Sequence, residues 1–379
     1  MKKLLTFVAA LSLCAFALCG CAEEYTTESH SFYSMNTQAE LVISDRFSAE
    51  KKNKFDNLCK DTEAVLFSVE NSISINTSSS SIYKFNLSNA GERVQIDETA
   101  YEMLSLAKEI YTLTEGYYNP AVYYSVQAYG FNEASHDSLQ PDDRIPPESE
   151  IEKYNSVSSH FGELELIKDG SNFYAVKPQA TFEADGNVYS MKIDLGGIGK
   201  GYAVDMVNGL IDEYGFENGY FSFGTSSITC KKHYKNGSYS LGMTNPRGAG
   251  SFASVKTENV CLSTSGDYQQ YFLYDGIRYC HVFDPFTGRP IRTGIMSATV
   301  IGGSAAKGDA LTTAIMAMGK ERAVEFINSN LSNLKVALSI ENGESFGIIS
   351  NISDGLIIVN ESYGLINTVS DGKIILGDN

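Results

Sequence analysis

The sequence predicts an α+β fold, a mixed domain of antiparallel sheets with flanking helices. Three observations carry this. Helical and strand-like patterns are interspersed without a regular βαβ rhythm, which argues against a doubly wound parallel sheet. Several stretches carry helix start and stop signals. Apolar runs between them are cut by Gly, Asn and Asp turns, and the C-terminal part, with its ENGE and SDG turns, is β-hairpin material.

Taken in order, Lys2 and Lys3 precede an apolar run from Leu4 to Leu18, too short for a comfortable membrane span and matching the h-region of a secretory signal. It ends in LCGC, which resembles the lipobox of bacterial lipoproteins, where cleavage leaves a lipidated cysteine, here Cys21. Residues 1–20 are therefore expected to be a signal peptide, 21–31 a tether and 32–379 a single domain. FYSMNTQAELVIS, from Phe32, reads as one strand. Ser48 caps a helix to about Val69 with Phe55, Cys59 and Leu66 on one side, and the Ser/Asn run from Asn71 to Ser81 reads as a loop. A second helix has Asp97 as N-cap, Met103, Leu104, Ala107, Ile110 and Tyr111 as its apolar stripe and Gly116 as its stop. The polar, Pro-bearing segment from Ala134 to Pro147 reads as a surface excursion, followed by a helix from about Glu148 to Ser159. SNFYAVK and VYSMKIDL read as strands. Next comes a glycine loop leading into a helix with Ala203, Val207, Leu210 and Tyr214 at helical spacing. More strands run to Val300, then helices span about Ala305 to Met318 and Lys320 to Asn328.

Composition narrows the function classes. A net charge of −17 over 379 residues offers no basic field for nucleic acid or an anionic membrane surface. Any phosphate site must be local, and a metal ion would supply the missing positive charge. No later run approaches transmembrane length, so a soluble domain held outside the cytoplasmic membrane by a lipid anchor is expected. Cys14 and Cys19 leave with the signal, while Cys59, Cys230, Cys261 and Cys280 lack the spacing of a metal site or disulfide scaffold and read as buried apolar residues.

Three segments could carry chemistry. IDLGGIGKGYAVD, from Ile193 to Asp205, fits neither standard nucleotide fingerprint; it is either a phosphate cradle, with free N–H groups, Lys200 and a helix N-terminus, or a tight packing corner. In AAKGDALTTAIMAMG, Asp309 and Thr313 stand one helical turn apart, which suits two oxygen ligands of Mg²⁺ but equally an ordinary helix start with the threonine bonded back to its backbone. His281, beside an Asp-Pro turn, is either a general base or a packed histidine.

Their order along the chain is more specific than any one of them. MNTQAELVI, TEGYYNPAV, IDLGGIGKGYAVD, TSGDYQQYF, HVFDPFTGRP and GDALTTA resemble, in sequence and spacing, the signature segments of the ApbE family of FAD:protein FMN transferases, from about Phe32 to Asn328. The resemblance implies an extracytoplasmic lipoprotein with FAD bound in a cleft. It implies magnesium-dependent cleavage of the FAD pyrophosphate, transfer of the FMN half to a threonine hydroxyl of an acceptor protein carrying an FMN-binding domain, and release of AMP.

By position, Met35, Asn76, Tyr117, Tyr118, Asn119, Asp194, Lys200 and Phe283 fall where family members contact FAD. The implied metal ligands are the Asp309 and Thr313 side chains with the Gly197 carbonyl, and His281 matches the residue proposed to activate the acceptor hydroxyl. Two positions depart from the pattern: Asn119 stands where aspartate is usual, and Asn76 aligns with a position that is often aromatic. The alternative functions are an FAD pyrophosphatase or flavin-holding lipoprotein on the same fold and, from a different class, a solute-binding lipoprotein.

Overall fold

The computed structural model describes residues 24–131, 144–343 and 345–377. The signal peptide, Cys21 and most of the segment from Ala134 to Pro147 lie outside these residues. Within them the fold is α+β, and no helix is long and apolar enough to cross a membrane.

Nine strands form the central sheet, and their order in space follows their order along the chain. They are β1 (Thr26–Ser34), β2 (Thr37–Asp45), β3 (Gly219–Phe223), β4 (Ser227–Cys230), β5 (Val260–Gly266), β6 (Ile295–Ile301), β7 (Lys335–Asn342), β8 (Ser345–Ser350) and β9 (Tyr363–Leu365). Each neighbouring pair is antiparallel except β8 with β9. Eight helices are described: α1 (Ala49–Ile73), α2 (Ser81–Leu87), α3 (Glu98–Leu113), α4 (Tyr123–Ala128), α5 (Glu148–Ser158), α6 (Gly196–Glu213), α7 (Ala305–Met318) and α8 (Lys320–Asn330).

The helices cover one face of the sheet. Leu41, Ile43, Phe221, Ala298, Val300 and Leu338 share a core there with Leu58 and Leu66 of α1, Val204 and Val207 of α6, and Leu311 and Ile315 of α7. Met296, Ile301, Ala337 and Ile348 point the other way, against a small sheet of strands Tyr239–Thr244, Ser251–Thr257 and Leu356–Ile358. Burial on both faces is why β6, IMSATVI, is buried throughout instead of alternating. A bulge between Ile295 and Ser297 reverses its parity, sending Ile295 with Ala298 to the helix side and Met296 to the other.

Capping follows the expected chemistry. The Ser48 hydroxyl accepts the Lys51 N–H, and the Asp97 carboxylate accepts the Ala100 N–H. Gly116, at φ +90, donates its N–H back to the Tyr111 carbonyl and closes α3. Cys59, Cys230, Cys261 and Cys280 are all buried free thiols.

Four expectations are corrected. The ordered chain starts before Phe32: Thr26–Ser31, expected within the tether, belong to β1, an edge strand paired with β2. FYSMNTQAELVIS is not one strand but a hairpin, turning at Met35 (φ +47) and Asn36 (φ +55) as a two-residue turn with both central residues left-handed. Ser74 to Ser80 is a loop, yet α1 runs on to Ile73 and a short helix, capped by the Ser80 hydroxyl, begins at Ser81. Finally, the glycines after Asp194 are not a loop, because α6 already starts at Gly196.

Candidate functional site

One cleft of about 680 Å³, the size of a small-molecule site, opens where the β1–β2 turn, the end of α1, the segment after α3, and the N-terminal turns of α6 and α7 meet. All twelve residues expected from the sequence at a binding, catalytic or metal position within the folded domain line it.

The glycines that start α6 divide into two pairs. Gly196 and Gly197 are exposed in the cleft at the start of α6, where the Gly196 N–H is taken by the Asp194 carboxylate. Gly199 and Gly201 are buried. A Cβ on Gly199 would come within 2.6 Å of Ile73 Cδ1, and one on Gly201 within 2.3 Å of the Ala305 carbonyl oxygen. The packing-corner reading therefore describes Gly199 and Gly201, while Gly196 and Gly197 stay open to the cleft. Close approach of α6 to α7 lets the Gly201 N–H reach Oδ2 of Asp309 at 2.6 Å.

Asp309 is buried, and its Oδ1 accepts the Ser227 hydroxyl at 2.7 Å. Burial pushes its carboxyl above the usual range, while Lys200 and these donors pull back toward the ionised form. Thr313 donates to the Asp309 carbonyl at 3.2 Å and lies 3.4 Å from the Ser265 hydroxyl, so the ordinary back-bonded conformation coexists with its place in the cleft. The base of α7 is fixed by Asp205, whose carboxylate accepts the Ser304 hydroxyl and the Ala305 and Ala306 N–H groups at 2.5, 2.7 and 3.0 Å.

Asp194 sits just before α6 and accepts the Gly196 N–H at 2.8 Å. Burial raises its carboxyl too, opposed by that hydrogen bond and by Lys200. The chain leading to Asp194 is clamped by the buried Asn86, which donates to the Ile193 carbonyl (2.8 Å) and accepts the Ile193 N–H (2.9 Å). Asp194 itself donates its N–H to the Pro120 carbonyl, tying α6 to the segment after α3.

In that segment Tyr117 packs edge-on against Phe286, and Tyr118 is buried, its N–H held by the Thr114 hydroxyl at 3.1 Å. The Tyr118 hydroxyl finds no hydrogen-bond partner among the described residues. Asp194 and Asp309 both add to the burial that pushes its phenol upward, which places it in the field of both carboxylates. Asn119 is committed to structure: its amide donates to the Ser158 carbonyl at the end of α5 (3.0 Å) and its oxygen accepts the Ala121 N–H (2.9 Å). An aspartate could not make the first bond. Asn119→Asp is accordingly expected to lower stability by roughly 1–3 kcal/mol, read as a shift in the denaturant midpoint.

His281 follows the hairpin of Tyr271–Tyr274 and Ile277–Cys280. Its Nδ1 lies 3.3 Å from the Gln270 carbonyl, an acceptor only, so Nδ1 carries the proton and Nε2 keeps a free lone pair. Burial, helped by Lys200, pushes its pKa down to about 4. Phe283 is a buried wall residue, edge-on to Tyr129 and Phe131. Met35 is held at the rim by its left-handed turn, an uncommon state for methionine. Asn76 is an exposed rim residue of the loop after α1. Sequence reasoning missed Ser227 and Asn86, which stand in no motif and act over 82 and 107 residues of chain, and Tyr268, a cleft-lining residue inside the quoted TSGDYQQYF segment that gave no separate signal. Asp205 lies inside the quoted glycine segment but gave no separate signal.

Among the described residues no three or more His, Cys, Asp or Glu side chains could together hold a metal ion. The donors at hand are all hard oxygens: the desolvated Asp309 carboxylate, the Thr313 hydroxyl and main-chain carbonyls. That set fits a magnesium-like cation bound by one carboxylate and completed by water and substrate phosphates, not an all-protein cage.

Such a cleft, with an exposed helix start, a lysine and one buried carboxylate on an α+β frame, has the size and donors of a small-molecule site. The chain belongs to the ApbE family, whose model matches residues 35–338. A protein of Haemophilus influenzae named FAD:protein FMN transferase is 26% identical over 350 residues, covering 91% of this chain and 95% of that one. An Escherichia coli protein of the same name is 26% identical over 269 residues, covering 70% and 72%. The solved flavin transferase ApbE of Vibrio cholerae superposes with a TM-score of 0.70 at 22% identity, covering 86% of this chain and 97% of that one, and shares its fold.

Proposed function

We propose that this protein is an FAD:protein FMN transferase, moving FMN from FAD to a threonine hydroxyl of an acceptor flavoprotein and releasing AMP. The observation that carries the reading is the convergence, in one cleft, of the exposed start of α6, Lys200, the buried Asp309 with Thr313, and His281. We also propose that the reaction needs Mg²⁺, and that Cys21 carries a lipid that holds the domain on the extracytoplasmic side of the cell membrane.

In this scheme FAD lies with its diphosphate beside Gly197 and Lys200, whose N–H and ammonium offset its charge, the Gly196 N–H being taken by Asp194. Bound Mg²⁺ would supply Lewis-acid stabilisation of charge on the phosphate oxygens. Asp309, Thr313 and the Gly197 carbonyl would hold it. The acceptor threonine oxygen forms a bond to the FMN phosphorus as the anhydride bond breaks, and the electron pair leaves with AMP. His281 Nε2 takes the hydroxyl proton, making an otherwise weak nucleophile competent.

The test is direct. Purified protein, FAD, Mg²⁺ and an acceptor with an FMN-binding domain should give a flavin-fluorescent acceptor band on a denaturing gel. Absence of that band with every threonine-bearing acceptor tried would refute the reading. A pH profile adds a second check. With its pKa pushed down to about 4, His281 is neutral, and able to accept a proton, at all pH values above that. Transfer at pH 5.5 should therefore stay near its neutral-pH value, whereas a base with an ordinary histidine pKa of about 6.5 would lose roughly tenfold there. An acid limb in kcat/KM centred near the ordinary histidine value would contradict the assignment.

A further inference from the structure

Among the polar groups of the cleft, the Tyr118 hydroxyl is singular. Its residue is 3% exposed, yet its oxygen has no hydrogen-bond partner among the described residues. A buried hydroxyl left unpaired weakens the free fold, and phenylalanine would fill the same space without that cost.

The side chain is not there by loose packing. Gly116 closes α3 and the Thr114 hydroxyl fixes the Tyr118 N–H, so the segment is held on itself, and the Pro120 carbonyl accepts the Asp194 N–H, which ties it to the start of α6. A Cβ placed on Gly197 would be 3.5 Å from the Tyr118 ring and 3.8 Å from its hydroxyl. The phenol thus stands beside the exposed first turn of α6. A tyrosine hydroxyl at neutral pH is a donor seeking an acceptor. The acceptors that would come to this spot are the oxygens of a bound phosphate chain.

We propose that the Tyr118 hydroxyl donates a hydrogen bond to the diphosphate of the bound nucleotide, completing the donor set begun by the Gly197 N–H and Lys200. This rests on the reading of the cleft as an FAD diphosphate site. The unpaired state in the free protein is then a preorganised donor, set where charge must be stabilised and satisfied only when substrate arrives.

Tyr118→Phe removes the hydroxyl alone. Three measurements follow on purified full-length domain: thermal unfolding without ligand, binding of ADP and of riboflavin by calorimetry, and FMN transfer. The expected results are an unfolding temperature equal to or above wild type, ADP binding weakened roughly ten- to a hundredfold with riboflavin binding unchanged, and transfer reduced by a similar factor. Unchanged ADP affinity and unchanged transfer would overturn the proposal. So would a lower unfolding temperature, since that would mean the hydroxyl is already paired within the free fold. ADP binding separates the two levels of the argument: if wild-type protein transfers no FMN but Tyr118→Phe still loses ADP and not riboflavin, the functional reading fails while the assignment of Tyr118 stands.

Discussion

Asp309→Asn is expected to lower FMN transfer on the order of 10²- to 10³-fold while leaving the domain folded. The asparagine keeps a carbonyl oxygen for the Gly201 N–H or the Ser227 hydroxyl, both of which now bond the carboxylate at 2.6 and 2.7 Å. What it removes is the charge. In wild type burial opposes that charge and raises the carboxyl, while the Lys200 ammonium and the Ser227, Ser263 and Gly201 donors favour it. Asp309→Ala should lose activity to a similar degree and stability as well, because the Gly201 and Ser227 donors would then be left buried without an acceptor. Transfer assays combined with thermal melts separate the two effects. Asp309→Asn retaining near-normal transfer would mean that the buried carboxylate serves packing alone.

The second large effect belongs to Gly201→Ala. Its methyl group would sit 2.3 Å from the Ala305 carbonyl oxygen and 2.7 Å from the Ala306 nitrogen, and both obstacles are backbone. No rotamer can move them aside, so α6 and α7 must separate. Overpacking of this kind costs about 1–3 kcal/mol and more where the backbone cannot yield. Separation also lengthens the Gly201 N–H bond to Asp309 and strains the hold of Asp205 on the first residues of α7. Expected, then, are a clear drop in denaturant midpoint and a loss of transfer that persists at temperatures where the variant is fully folded. Gly197→Ala makes a contrast, since its nearest neighbour would be the Tyr118 ring at 3.5 Å, an ordinary contact. Equal destabilisation by both substitutions would undercut the division of the glycines into packing and ligand-facing pairs.

Much of this was legible in the sequence where a local signal has a local cause. Ser48 and Asp97 cap helices because a short oxygen-bearing side chain reaches an N–H three residues on. The apolar stripe of α3 was readable for the same reason, and the mixed order of helices and strands gave the fold class. Turns of unusual chemistry were not readable. Met35 at φ +47 sits in a hairpin turn usually made by Asn and Gly, so the β1–β2 hairpin looked like one strand. Glycine-rich sequence reads as loop by propensity, but burial of α6 against α1 and α7 overrides that preference and carries the helix to Gly196. Site residues inside motifs were visible. Those that support them, Ser227 under Asp309 and Asn86 on Ile193, depend on contacts between distant parts of the chain and leave no trace in a local window.

In the proposed reaction protein and substrate share one divalent cation, because the described residues of the cleft offer too few side chains to hold it alone. Electron paramagnetic resonance of Mn²⁺, used in place of Mg²⁺, measures free against bound ion directly. Titrated into the protein without nucleotide, Mn²⁺ should bind weakly; with ADP or FAD present its affinity should rise by an order of magnitude or more beyond what nucleotide alone captures, and Asp309→Asn should abolish that rise. Mn²⁺ binding that is indifferent to nucleotide, or that survives loss of the Asp309 charge, would contradict it.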